Sequence, residues 1–167
     1  MHHSIKKNEW TIPLTENEQK ILDYTSKIFH SIKEGKTFEE TVKNHLPAWR
    51  HLNAEYLLDE ELANNFTIDF LTRTKNKNAG KNHELMMSDF LANIKRLDVL
   101  KKTNLSTLVI HGDKDPVVLL RYGKSVADII PKSKFVLIKG MGHTFFNRSL
   151  EEKIAKLIVD HLKKNSK

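Results

Sequence analysis

Two short loops hold the residues whose types and spacing could do chemistry: His111-Gly112-Asp113-Lys114-Asp115-Pro116 and Gly140-Met141-Gly142-His143. A carboxylate bonded to one imidazole nitrogen fixes the tautomer, leaves the other nitrogen free to take a proton, and stabilises the imidazolium. An aspartate of the first loop and His143 of the second could form such a pair. The glycines on either side of Met141 allow backbone angles that turn His143 inward. With no cysteine in the chain, thiol nucleophiles, thiolate metal sites and disulfides are all absent.

These loops need a scaffold, and the sequence around them supplies one. Leu105 to Ile110 is a short apolar, partly β-branched run ending in His111-Gly112, and Lys134 to Ile138 is a second run ending in Lys139-Gly140. Val118 to Ile130 has helical spacing and stops at Pro131, so the unit reads as strand, helix, strand: a parallel βαβ crossover. A last helix is predicted from about Leu150 to Leu162. In an open parallel sheet, functional side chains gather beyond the carboxyl ends of the strands, which is where both loops fall.

Upstream the pattern is helical. Thr15-Glu16-Asn17-Glu18 is a capping box, predicting a helix that runs to Gly35. Thr37-Phe38-Glu39-Glu40 repeats the signature, predicting a second helix interrupted by Pro47. Further helices are expected over 57–71 and 84–94, separated by a polar loop over 73–82.

The stretch Thr107 to Val118, with Gly140-Met141-Gly142-His143 downstream, resembles the last two strands of α/β-hydrolases of the esterase, lipase and methylesterase type. The resemblance is specific across residues 95–165, and looser for the upstream helices, which are similar to the family's variable lid. It implies a partial α/β-hydrolase fold: a helical lid-like region over 1–93, then a βαβα core segment over 94–167 with two parallel strands. It also implies that Asp115 is the triad acid and His143 the base.

The family's serine sits on a Gly-x-Ser-x-Gly elbow upstream of the lid, and this sequence contains no such motif. Gly123-Lys124-Ser125-Val126-Ala127 matches it superficially but lies inside the predicted crossover helix, after the Asp and with no strand before it. The resemblance therefore implies a truncated or split carboxylic ester hydrolase, inactive alone. Its alternative is a non-catalytic interaction module derived from a hydrolase.

The bland readings bound the rest. Alternation of His111, Asp113 and Asp115 could converge on a metal, but no further ligand cluster accompanies it, and neither metal nor cofactor is expected. Asp113 reads as a solvated turn residue, and the other histidines as surface residues. Trp10, Trp49, Phe66 and Phe70 read as packing, or as the lining of a lid over an apolar substrate.

The net charge of +7 raises the question of nucleic acid. The lysines are scattered, and the densest stretch, 73–82, has no interleaved aromatics, so no nucleic acid partner is expected. No apolar run is long enough to cross a bilayer and no leader is evident, which reads as cytoplasmic. Expected partners are a hydrolase N-terminal half, a second copy joined through an exposed strand edge, and a small ester once the site is complemented.

Overall fold

The computed structural model describes residues 12–74 and 97–165. The helix expected over 84–94, most of the 73–82 loop, Trp10 and the 93/94 boundary lie outside the described residues.

Helix α1 (Glu16–Ser31) starts on the predicted capping box: the Thr15 hydroxyl accepts from the Glu18 amide at 3.2 Å, and the Glu18 carboxylate accepts from the Thr15 amide at 2.8 Å. It ends at Ser31 rather than at Gly35. Gly35 instead allows close approach, because a Cβ there would lie 2.6 Å from the Glu40 Cβ in helix α2 (Phe38–Lys43). Thr37 caps α2 as expected. Pro47 does not interrupt this helix. It opens a separate one, α3 (Leu46–Asn53), where a missing N–H costs nothing in the first turn. Helix α4 (Glu60–Arg73) is capped by Asp59, whose carboxylate accepts from the Leu62 amide at 3.1 Å.

A short helix α5 (Leu97–Leu100) precedes the strand-helix-strand unit. Strand β1 (Thr107–Gly112), helix α6 (Leu120–Ile129) and strand β2 (Ser133–Ile138) match the sequence reading within two residues at most boundaries. The strands pair in parallel, from Thr107 opposite Ser133 to Gly112 opposite Ile138. Helix α7 (Arg148–Asn165) follows, its first turn held by the Asn147 side chain, which accepts from the Leu150 amide at 3.2 Å. The fold is mixed α/β, with helices ahead of a two-stranded parallel sheet.

The buried core beneath the strand ends is Ile138, Met141 and Leu150, with Tyr56, Ile110, Val136, Ile154 and Leu157 packed against it. Tyr56 belongs to the segment after α3. The helical region thus contributes directly to the core that supports the two loops. No helix among the described residues is long and apolar enough to cross a membrane.

Candidate active site

Both loops leave the carboxyl ends of neighbouring parallel strands, and the chain conformation at each end is set by bonds between them. The Asp113 amide donates to the Ile138 carbonyl at 3.3 Å, and the Lys114 amide to the Met141 carbonyl at 3.0 Å. The Asp113 carboxylate accepts from the Gly140 amide at 2.6 Å. Asp113 is therefore a clamp between the loops and not the solvated turn residue that its sequence context predicts. Gly112 is required by the same proximity, because a Cβ there would lie 2.0 Å from the Met141 carbonyl oxygen.

Asp115 turns back onto its own chain. Its Oδ1 accepts from the amides of Val117 at 2.8 Å and Val118 at 2.9 Å. Pro116 has no N–H, so the turn's first available donors are those two. This leaves Oδ2 for His143, whose Nδ1 lies 3.0 Å away. The Asp115 side chain is 8% exposed and that of His143 is 40% exposed.

Burial pushes the Asp115 carboxyl up. The hydrogen bond from His143, the Val118 amide, the attraction of a protonated His143 and the Val117 amide outweigh it and hold the group below the usual carboxylate range. An ionised carboxylate only accepts, so the hydrogen between the two residues sits on Nδ1 of His143. A neutral imidazole with Nδ1–H carries its lone pair on Nε2, and no described residue bonds that nitrogen. An imidazole so held at the mouth of the sheet by a buried anion could take a proton on Nε2.

The sign of the linkage follows from the depressed value. A carboxyl whose folded pKa lies below its unfolded one contributes stability above the unfolded value and loses it as pH falls through the folded one. Asp115→Asn should therefore be less stable than wild type at neutral pH, with the difference shrinking as the pH drops below about 4. Urea titrations across that range check this. A constant gap between the two proteins would mean that the carboxylate charge contributes nothing.

The His143 loop is held from outside the βαβ unit as well. The amides of His143 and Thr144 both donate to the Leu52 carbonyl at the end of α3, at 2.8 and 3.2 Å. Ala54 bridges Met141 in antiparallel fashion, and the Glu55 amide donates to the Gly140 carbonyl at 3.1 Å. Ala54 sits at φ 53° and ψ −118°, a sparsely populated region for a residue with a Cβ. On the other side, the Thr25 hydroxyl of α1 donates to the Pro116 carbonyl at 3.2 Å and lies 2.8 Å from Nε2 of His51. His51 is half-buried rather than on the open surface, and this burial holds its imidazole below its ordinary range.

A family model of α/β-hydrolases, described as TAP-like protein, matches residues 91–166, the part of the chain that carries both loops. That segment is similar in sequence to the α/β-hydrolase superfamily. Over 89% of its length the chain is also similar in structure to an esterase from Exiguobacterium antarcticum, with a TM-score of 0.52 and 18% identity. It spans 48% of that esterase.

Within this matched segment, Ser125 lies in the middle of α6 and is buried, as its place in the predicted crossover helix implies. His111 does not converge with Asp113 and Asp115: its Nδ1 donates to the Gly112 carbonyl at 2.7 Å and its ring lies near Phe135. Among the described residues no group of three or more His, Cys, Asp or Glu is placed to hold a metal ion.

Trp49 and Phe66 each pack with Phe146 of the His143 loop at a ring distance of 5.3 Å and with each other at 5.5 Å, and Trp49 donates to the Thr67 hydroxyl at 2.8 Å. Phe70 stays half exposed. Sequence reasoning missed Leu52, Asn53 and Ala54. Their only local signal is the apolar Ala48 and Leu52 pair four residues apart in an otherwise unmarked stretch.

Proposed function

We propose that this chain supplies the acid and the base of a Ser-His-Asp machinery that hydrolyses carboxylic esters, with Asp115 as acid and His143 as base. The serine and the oxyanion-hole amides then come from polypeptide outside these 167 residues. The observation that carries this reading is the Asp115–His143 hydrogen bond, with Nε2 of the imidazole bonded by none of the described residues. In such a cycle Nε2 takes the proton of the attacking serine hydroxyl and returns it to the departing alkoxide. It then takes a proton from the water that releases the acyl group. Asp115 holds the ring and stabilises the imidazolium at each stage.

Nothing among the nine serines of the chain stands in a Gly-x-Ser-x-Gly context, and the closest match, Ser125, is a buried helix residue. Acid and base without nucleophile and oxyanion hole lack the parts that carry most of the rate. The 167-residue chain alone should therefore turn over small aryl esters no faster than background.

The direct test is the imidazole itself. In two-dimensional ¹H–¹⁵N spectra of the full chain above the imidazole pKa, His143 is expected to carry its hydrogen on Nδ1. Asp115→Asn should move it to Nε2, because an amide NH₂ in place of Oδ2 calls for an acceptor. Wild-type protein with the hydrogen on Nε2 would remove the acid–base assignment, and ester turnover lost in Ser125→Ala would reassign the nucleophile.

The flank of β1 that no described strand pairs favours a second reading, an interaction module that uses the hydrolase scaffold to bind another polypeptide strand. Under that reading the histidine tautomer is indifferent to Asp115→Asn.

A further inference from the structure

The side chain of Asn53 is fully buried, at 0% exposure, at the last position of α3. A buried carboxamide is costly unless its donors and acceptor are met, and an apolar side chain of similar size would fill the same space without that requirement. Here all its polar capacity is directed at one neighbourhood. Nδ2 donates to the Tyr56 carbonyl at 2.9 Å and to the Phe146 carbonyl at 3.4 Å, and Oδ1 accepts from the Thr144 hydroxyl at 3.4 Å.

Thr144 and Phe146 lie one and three residues after His143. The residue before Asn53, Leu52, accepts the amides of His143 and Thr144 on its carbonyl, and the residue after it, Ala54, takes the sparsely populated backbone conformation opposite Met141. Three consecutive residues at one helix end therefore meet the base loop before, at and after the histidine.

We propose that Asn53 is a positioning residue for His143: its carboxamide holds the 144–146 backbone so that the imidazole stays in line with Asp115. The inference rests on the reading of His143 as the base. Asn53 touches neither partner of the pair, so its effect passes through Thr144, Phe146 and the Leu52 carbonyl. A merely structural asparagine would change stability and leave the imidazole's hydrogen bond intact.

The readout is the Nδ1–H proton of His143, which a bond to a buried carboxylate shifts downfield and protects from exchange, recorded on the full chain beside a thermal melt. Asn53→Leu, which keeps the branched four-atom shape with somewhat larger end groups and removes every polar arm, is expected to lose this resonance while the chain remains folded. Thr144→Val removes only the hydroxyl arm and is expected to broaden it. Ser133→Ala, which deletes a hydroxyl bond to the Ala127 carbonyl at the opposite end of β2, should lower stability and leave the resonance unchanged.

Folded Asn53→Leu with a wild-type resonance overturns the proposal. If Asn53→Leu does not fold, an unchanged resonance in Thr144→Val overturns it instead. Absence of the resonance in the wild-type chain is a different outcome, since it removes the acid–base reading on which the proposal stands.

Discussion

Gly142→Ala is expected to cost about 3 kcal/mol or more and to release His143 from Asp115. A Cβ at Gly142 would lie 2.0 Å from the Leu52 carbonyl oxygen, 2.9 Å from its carbon and 3.0 Å from the Ala54 Cβ. All three belong to backbone or to a side chain with no rotamer to escape into. The obstructed oxygen is the acceptor of the His143 and Thr144 amides, so relief of the clash must draw the loop away from its own anchors.

Gly140→Ala is a useful contrast. Gly140 has φ 77°, which disfavours any side chain, but its nearest obstacle is the carboxylate end of Glu55 at 2.9 Å, which can swing aside. Its cost should stay near that of an alanine forced into the left-handed region, about 1–2 kcal/mol. Thermal melts convert the difference to a measurable one, since each kcal/mol moves Tm by about 2–4 °C in a chain of this size. Equal melting temperatures for the two variants would show that the base loop is not pinned against α3.

That pinning explains which parts of the fold and the site were legible in the sequence. The strands announce themselves through short apolar β-branched runs with glycine at their ends, and α6 through its spacing before Pro131, because each of these signals is local. The Asp115 and His143 loops follow from the strands that carry them.

The clamp is different in kind. Residues 52–59 run beside 140–147 at a separation of nearly ninety positions, and nothing in Leu52-Asn53-Ala54-Glu55 marks a partner. A short helix such as α3 has little intrinsic stability and exists because Ala48, Leu52 and Asn53 are buried against other elements. Pro47 was ambiguous for the same reason: a proline ends one helix or opens the next, and tertiary contact decides which. Asp113 and Asp115, two residues apart, have the same local character. They diverge because one carboxylate meets the Gly140 amide and the other turns onto Val117 and Val118.

The isolated chain is expected to associate through the outer flank of β1, giving a melt whose midpoint rises with protein concentration. The amides of Thr107 and Asp113 point toward β2, where they donate to the Lys132 and Ile138 carbonyls at 3.0 and 3.3 Å. Successive residues of a strand alternate, so the amides of Leu108 and Ile110 point to the opposite flank. Among the described residues no strand lies there, the sheet being β1 beside β2 alone. An edge of unpaired donors and acceptors along a Leu-Val-Ile strand is a template for another chain. A two-stranded parallel sheet is also a weak unit without further strands and covered faces. Leu105, just before β1, leaves 73% of its surface exposed, which adds apolar area beside the edge.

Leu108→Pro separates this cause from general instability. It deletes one outward donor, while the bonds that Thr107 and Asp113 make to β2 do not involve that amide, and edge strands tolerate proline when the lost N–H faces away from the ladder. Over a hundredfold range of concentration the wild-type midpoint should rise by about 5 °C or more, the shift expected if mass action stabilises the folded chain by about 2.7 kcal/mol. The Leu108→Pro midpoint should stay flat. A wild-type chain that is monodisperse by light scattering, with a melt independent of concentration, would mean that the flank is already satisfied within one molecule and that no second strand is needed.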